Sequence, residues 1–227
     1  TRAVGGQRRD RYDTFGTLNT VLGVPLAYPE YVENAGTTHL MCITTKYVYE
    51  YNTTLNNWAN VISPQEILSE GDTVWTAATG DVTATVEPTI KVNGTGSAKL
   101  AIAAPFTTGL AASFDFAPVN TTTYGFIHFW ICSSVVTTAG QLRIAIDDTA
   151  ACASPLVYYN VPALAVNTWT QVEVALGAGA NAAVISIGLD VVSDVGVANI
   201  YIDRVIAVQR LTGTEDNRIS YTTYLDL

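Results

Sequence analysis

Two histidines carry the most obvious catalytic potential in this chain. His128 alternates with Phe126 and Trp130 along an apolar run, and alternate residues of a strand share one face. This pattern predicts a packed imidazole rather than a general base. His39 stands near the start of another run, with no nucleophile motif around it. The histidines therefore do not predict a catalytic triad.

One pair of carboxylates, Asp147-Asp148, follows a strand-like run and precedes a short loop. Glycoside hydrolysis needs two carboxyl groups held across a sugar, which adjacent residues of one loop do not provide. Turn chemistry is the better interpretation, because Asp side chains hydrogen-bond nearby backbone groups. Gly94-Thr-Gly96 precedes a strand-like run, so it does not fit a dinucleotide-binding motif. A hydrolase is the weakest alternative, since no acid and base can be named for it.

Short alternating runs dominate the chain from Trp75 to Val208 and must position any site. They are rich in Val, Ile, Thr and aromatic residues, whereas Gly, Pro, Asn and Asp cluster between them. Pro118, for example, is placed in a gap. Such a density of strands predicts a two-sheet antiparallel sandwich. The expected strands are 73–77, 81–87, 97–103, 110–116, 124–132, 141–147, 156–160, 169–176, 183–191 and 198–208.

The run 126–132 is apolar at both its odd and its even positions. A strand of that kind is buried on both faces. We therefore expect it to be covered on both sides or to lie in the middle of a sheet, next to another module.

The chain before this sandwich divides into two parts. Residues 1–26 lack periodicity and are expected to form an extended arm. Residues 27–69 are expected to form a small β meander, with strands in 38–62, followed by a linker at 63–71 that has room for one helical turn. Three strands are close to the lower limit of independent stability. The sandwich is assigned to 70–208, and 209–227 to a C-terminal strand or tail.

Charge is distributed unevenly along the chain. The net charge is −9, yet residues 1–11 contain four Arg and one Asp. An acidic body repels phosphate, which argues against nucleic-acid binding. The basic arm either docks on an acidic neighbour, such as another copy of the chain, or is a solvated terminus. No apolar stretch approaches the roughly 20 residues of a membrane helix, so no membrane partner is expected.

Three cysteines, Cys42, Cys132 and Cys152, occur without CxxC spacing. An odd number fits neither a disulfide framework nor a zinc site. We expect buried structural thiols in a protein that folds in a reducing cytosol.

Several motifs in order carry a family resemblance. The segment 70–208 resembles the jelly-roll sandwich of carbohydrate-binding-module-like domains, in the version found in tailed-phage structural proteins. The meander, with Asn57-Trp58, is similar to a β-propeller blade of phage virion proteins, and 216–224 looks like the opening of another blade. The jelly roll would then be inserted between propeller-like segments of a longer chain. The motifs are Gly94–Leu100, Tyr124–Ser133, Asn167–Val172, Ile200–Val205 and Thr44–Tyr51.

The resemblance also implies a metal site. Many related jelly rolls hold a structural Ca²⁺ near the first and last strands, and Glu70, Asp72 and Asp203 occupy similar places. Calcium takes six to eight oxygen ligands, of which these side chains supply three. Alternatively, Asp203 pairs with Arg204 or faces water.

Exposed aromatic rings are the stacking platforms that glycan binding would use. Trp130 and Trp169 match positions that are core in the resembled family, which leaves Trp75, Tyr158 and Tyr159. The adjacent tyrosines can show at most one ring outward. An aromatic pair in a strand is more often packing than a platform.

These observations favour an all-β protein: an antiparallel jelly-roll β-sandwich with a small N-terminal β meander and an extended N-terminal arm. The expected function is that of a non-enzymatic phage virion structural protein, as a capsid decoration or tail component assembled in the host cytoplasm. Arm and meander would contact other virion proteins, and the chain would form a homo-oligomer. The alternative is an adhesion module that binds a host glycan.

Overall fold

The computed structural model describes residues 23–32, 38–52, 57–62 and 65–209. These residues divide into two compact units, one up to residue 62 and one spanning 65–209. Both are built from antiparallel strands, so the predicted all-β class is confirmed. No helix among the described residues combines the length and the hydropathy that crossing a membrane requires.

The first unit is a small antiparallel sheet. The three predicted strands are present as β3 (Thr38–Thr44), β4 (Val48–Asn52) and β5 (Asn57–Ile62), which pair in that order. Two further strands, β1 (Pro25–Ala27) and β2 (Glu30–Val32), both pair with β3. The expected arm therefore gives way to sheet at residue 25, and its first 22 residues lie outside the described part. The blade-like segment 216–224 also lies outside it.

Alternation explains the core of this small sheet. Tyr47 and Tyr49 are fully buried and meet edge to face, with ring centroids 5.9 Å apart. Trp58 is also buried and lies 5.3 Å from the ring of Tyr51. His39 of β3 pairs with Glu50 of β4. Aromatic pairs thus supply the packing that a short meander lacks in aliphatic core.

The second unit is a sandwich of two antiparallel sheets. Sheet I has the strand order β13-β12-β15-β10-β7, and sheet II the order β14-β11-β16-β9-β8, with β6 also paired to β16. The strands are β6 (Gln65–Ser69), β7 (Thr76–Ala77), β8 (Val82–Glu87), β9 (Ser97–Ile102), β10 (Gly109–Val119), β11 (Phe126–Ser133), β12 (Leu142–Asp147), β13 (Val157–Asn160), β14 (Thr170–Ala175), β15 (Val184–Val191) and β16 (Ala198–Val208).

One apolar core lies between the two sheets. Fully burying a large aliphatic or aromatic side chain stabilises the fold by about 1.5–3 kcal/mol. Strand β11 lies between β14 and β16, and residues 127–133 are buried on both faces, as predicted. The largest fully buried side chains of this unit include Trp75, Phe129, Leu68, Leu100, Ile102, Ile127, Ile131, Leu142, Ile144 and Ile146.

The expected linker at 63–71 is partly strand. Strand β9 pairs with only the first half of β16, at residues 198–202. The second half, residues 205–208, is paired by β6 instead, with Gln65 opposite Val208. An unpaired backbone edge beside a buried strand is costly, so this segment becomes strand rather than a helical turn.

Pro118 lies inside β10, so the prediction that it falls in a gap between strands is wrong. The register of β10 against β15 shifts between Asp115 and Val119. A proline has no N–H to donate and is tolerated where a bulge interrupts the ladder. The irregularity therefore lets β10 continue to residue 119.

Candidate functional site

Sheet I has one side in the core and one side that faces outward. Along β12, Arg143, Ala145 and Asp147 point outward, whereas Leu142, Ile144 and Ile146 are buried in the core. An outward face of a sandwich is normally solvated. Here its middle is buried, whereas Thr76 and Asp115 towards β7 and Tyr158 on β13 are exposed.

The loop between β12 and β13 covers the middle of this face. Its Ala151 N–H donates to Asp115 Oδ1 at 2.8 Å, and its Cys152 N–H donates to Ser186 Oγ at 3.1 Å. A Cβ added to Gly188 of β15 would lie 3.0 Å from Cys152 Sγ and 2.7 Å from Leu110 Cδ1. Glycine at 188 therefore lets the loop lie directly on the sheet. We call residues 148–155 the cover loop.

Two consecutive residues of the cover loop have left-handed backbone. Ala151 has φ +59° and Cys152 φ +49°. Such conformations cost non-glycine residues of order 1–3 kcal/mol each and persist only when neighbours fix them. The hydrogen bonds to Asp115 and Ser186 are the contacts that do so.

Asp147 organises the start of the cover loop. Its carboxylate accepts hydrogen bonds from Thr149 N, Thr149 Oγ1 and Ser154 N. Burial alone would raise its pKa, but these donors outweigh burial and hold the pKa below its usual value. Asp148 instead accepts from Asn181 Nδ2 at 3.1 Å. Asp147 therefore does the predicted turn chemistry, whereas Asp148 contacts a distant loop.

The open corner of sheet I is formed by Tyr158, Arg143, Asp190 and Asn160. Tyr158 is 40% exposed, and the Arg143 guanidinium carbon lies 4.0 Å from the centre of its ring. Arg143 Nε and Nη2 both donate to Asp190 Oδ2, at 3.0 and 2.6 Å. The guanidinium therefore braces the ring and neutralises the carboxylate. We call these four residues the Tyr158 corner.

The Tyr158 corner keeps unused polar atoms. Because both Arg143 bonds end on Oδ2, neither Asp190 Oδ1 nor Arg143 Nη1 is engaged by the described residues. The exposed Asn160 side chain lies beside Gly140, whose φ of +76° is a backbone that glycine tolerates. The corner therefore offers an aromatic surface, a donor, an acceptor and an amide.

The prediction that Trp75 or Tyr159 could be an exposed stacking platform is wrong, because both side chains are buried. Trp75 is 2% exposed and stacks on Phe114 inside the core. Tyr159 points inward, 4% exposed, and its hydroxyl donates to Leu176 O. Burial raises the pKa of Tyr159 to about 12. Of the three predicted rings, the structure places that of Tyr158 outward.

The predicted metal ligands surround one loop. Asp203 is fully buried, and its Oδ2 accepts the N–H groups of Val92 and Asn93 at 2.6 and 2.9 Å. Asn93 Nδ2 also lies 3.4 Å from Glu70 Oε2. Asp72 Oδ2 accepts from Thr95 Oγ1 at 3.3 Å. All three carboxylates therefore contact the β8–β9 loop.

These carboxylates do not form the three-ligand cluster that the resemblance implies. Across the described residues, no three His, Cys, Asp or Glu side chains are grouped to share a metal ion. Asp203 Oδ1 is nevertheless buried, and no described residue donates a hydrogen bond to it. Burial raises its pKa to about 6 against the two backbone donors, and the charge of Glu70 adds to the rise. Burial also rules out the alternative in which Asp203 faces water.

The predictions of packed imidazole and structural thiols are confirmed for the residues described. His128 is 2% exposed, its Nε2 lies beside Gln171 Nε2, and burial lowers its pKa to about 4. The three cysteines are buried and free. Burial raises the pKa of Cys42 and of Cys152 to about 11, which keeps both as thiols.

No protein family's model matches the chain, and no curated protein does. Solved structures of carbohydrate-binding modules do resemble it. A family 11 module from Clostridium thermocellum, in complex with a β-1,3-1,4-mixed-linked tetrasaccharide, is 10% identical with a TM-score of 0.47; the match covers 66% of this chain and 99% of that one. A family 30 module of a cellulosomal cellulase from the same organism is 12% identical with a TM-score of 0.41; the match covers 67% of this chain and 99% of that one.

A variant of a family 29 module is 8% identical, with a TM-score of 0.39, and the match covers 70% of this chain and 98% of that one. At such identities the likeness concerns general architecture and does not specify a ligand. These structures are of the kind of domain that the resemblance names, and TM-scores below 0.5 do not assign the chain to it. Nothing among them indicates a phage origin or propeller blades.

Proposed function

We propose that the sandwich unit is a glycan-binding module and that the Tyr158 corner is its contact site. The observation that carries this proposal is an exposed tyrosine ring braced by a neutralised Arg143–Asp190 pair. A rigid aromatic ring with few rotatable bonds supplies contact area at low entropic cost. Binding, not conversion, is the proposed role.

The free polar atoms of the corner suit a sugar. A hexose presents a C–H face, which packs on an aromatic ring, and a rim of hydroxyl groups that both donate and accept. Arg143 Nη1 and Asp190 Oδ1 offer one donor and one acceptor beside the ring. A few convergent polar groups next to an apolar contact are the usual composition of a small-molecule site.

Charge narrows the ligand class to uncharged sugars. The guanidinium is already paired with Asp190, with an Nη2–Oδ2 distance of 2.6 Å, so it does not present an unpaired positive charge. The whole chain carries a net charge of −9, which repels sialylated, uronic or sulfated glycans.

A glycan array followed by calorimetric titration tests this function. Tyr158→Ala is expected to weaken binding at least about tenfold, because an interface ring of this kind is a binding hot spot. Tyr158→Phe keeps the ring and is expected to bind within about threefold of the parent protein. Thr83→Ala, at an exposed position of sheet II, is the surface control. Equal binding by Tyr158→Ala and the parent would contradict the proposal.

The virion role remains a prediction that the comparisons do not support. Its proposed partners, other virion proteins and further copies of the chain, would dock on the arm and the meander. Analytical ultracentrifugation tests the homo-oligomer, and a compact monomer at micromolar concentration would count against it. Portal and capsid genes beside this one would favour the virion role.

We also propose a structural cation, best supplied as Ca²⁺, at Asp203. The buried Oδ1, to which no residue that the structure describes donates, and the nearby charge of Glu70 support it. Calcium prefers carboxylate and carbonyl oxygens. Glu70 and Asp203 would be its acidic ligands, and Asp72 holds Thr95 of the same loop. A melting temperature unchanged between chelator and millimolar Ca²⁺ would contradict this site.

A further inference from the structure

We infer that the Tyr158 corner recognises the end of a glycan rather than the interior of a long chain. This inference rests on the proposed glycan-binding function and specifies which part of the ligand the site takes. Its basis is the position of the cover loop, which closes the face of sheet I beyond the corner.

The track that an extended polysaccharide would follow across sheet I is filled. Next to Tyr158 in the sheet lie Ala145 and then Gly188, and both are buried. Cys152 and Leu110 lie over Gly188. A chain of sugars that starts on the Tyr158 ring therefore meets protein atoms, not an open groove, in the direction of β15 and β10.

The cover loop is tied to the sheet at several points. Besides the bonds from Ala151 and Cys152, Ser186 Oγ donates to Thr149 O at 2.6 Å. These bonds tie the loop to β10 and to β15 at once. A loop held in this way, with two left-handed residues, is part of the site wall rather than a lid that a ligand displaces.

The end of the sandwich bounds the corner on another side. Gln141 Nε2 donates to Asp194 O at 2.7 Å, and Val192 N donates to Gln141 O at 2.9 Å. Gly140 N donates to Val161 O at 2.8 Å, next to Asn160. These bonds join the loop before β12 to the segments that follow β13 and β15, at the end of the sheet next to Asn160 and Asp190.

The remaining approach is over the outer edge of β13, because no described strand pairs there. A glycan that enters from this side places its terminal residue on Tyr158, against Arg143 and Asp190. Residues further along the glycan leave the protein surface. Affinity should therefore depend on the first one or two sugars and on the hydroxyls of the terminal one.

The test uses uncharged oligosaccharide ladders of one to six residues, built from glucose, mannose or galactose. Each ladder is also prepared with the non-reducing terminal residue O-methylated. Binding to the full chain is measured by calorimetry and by ligand-observed NMR, with Tyr158→Ala as the matched variant.

The expected result is an affinity that changes less than about twofold from disaccharide to hexasaccharide and falls at least about tenfold on terminal methylation. End recognition would be overturned if the affinity rose tenfold or more with oligosaccharide length, or if terminal methylation left it unchanged. Either result would leave glycan binding in place. No binding of any ladder member at millimolar concentration would overturn both the inference and the proposed function.

Discussion

Asp190 and Asp203 stand on neighbouring strands in sequence, β15 and β16, yet their surroundings differ. Asp190 lies at the rim of sheet I and receives two hydrogen bonds from Arg143. Asp203 lies under the β8–β9 loop of sheet II and is fully buried; two backbone N–H groups donate to its Oδ2, and none from the described part of the chain donates to Oδ1. A neutralised carboxylate suits an uncharged polar ligand, whereas an uncompensated buried one favours a proton or a cation.

The largest expected effect is the pH dependence of the free energy of unfolding, which Asp203 should dominate. Asp203 has an ordinary pKa of 3.8 and a folded pKa of about 6. Because the folded state holds the proton more tightly, the ionised form costs stability above pH 6, and the cost disappears as pH falls towards 4. This difference between the unfolded and folded pKa of Asp203 corresponds to a cost on the order of 3 kcal/mol.

Urea unfolding in chelator is the measurement, at pH 4.5 and 7.5. The parent protein should show a rise in stability at the lower pH, and Asp203→Asn should lose most of that rise. Millimolar Ca²⁺ at pH 7.5 should restore stability to the parent and not to Asp203→Asn. A parent protein with the same pH slope as the variant would refute the assignment to Asp203.

Removing the acceptor at position 203 is the next largest change. Asp203→Ala removes the acceptor of the Val92 and Asn93 N–H groups, and a buried donor that loses its acceptor costs about 1–3 kcal/mol. We expect a loss of about 2 kcal/mol or more in the free energy of unfolding. Asp203→Asn keeps an acceptor and should be at least as stable as the parent without Ca²⁺ at pH 7.5. An alanine variant more stable than the asparagine variant would argue against the role of these bonds.

Breaking the Arg143–Asp190 ion pair of sheet I should lower the free energy of unfolding by a smaller amount. Arg143→Met keeps much of the side-chain length but leaves Asp190, whose side chain is 10% exposed, without its partner. We expect a loss of about 1 kcal/mol, because solvent screens part of the charge. The double variant Arg143→Met, Asp190→Asn should recover most of that loss in a double-mutant cycle. Additive single effects would show that the two side chains are not coupled.

The smallest stability effect is expected for the exposed ring. Tyr158→Ala removes a ring that is 40% exposed and one contact with Arg143, so thermal unfolding should shift by no more than about 1 kcal/mol. Tyr159→Ala, one residue along the strand, removes a buried ring and should cost about 3 kcal/mol or more. Similar costs for the two variants would contradict their placement on opposite faces.

The long strands were predictable because their apolar residues alternate over six or more positions. The strands that the sequence did not indicate are short: β1 and β2 have three residues each, and β6 has five. Strand β6 exists because β16 offers it an unpaired edge, and that edge depends on where β9 ends. Such a cause acts between segments more than 130 residues apart and leaves no local pattern.

The candidate site was predictable only in part, for a similar reason. Alternation requires that Tyr158 and Tyr159 point to opposite sides, but it does not say which one faces out. Arg143 and Asp190 are 47 residues apart and meet only through the register of β12 against β15. The cover loop depends on Gly188 and on hydrogen bonds from β10 and β15, which no spacing within 148–155 encodes. The one available signal for the site was Arg143, a polar residue at an alternating position of the strand that precedes the two tyrosines.

Strand β6 also has a consequence for how this module can be carried by other proteins. Its pairing sets residue 65 directly opposite residue 208, so the polypeptide enters and leaves the sandwich side by side. Paired residues of antiparallel strands lie about 5 Å apart at their Cα atoms. A host protein could therefore accept the whole unit at a single surface turn, with little change in the distance its own backbone must bridge. The adjacent ends of the sandwich thus suit its insertion as one unit into another chain.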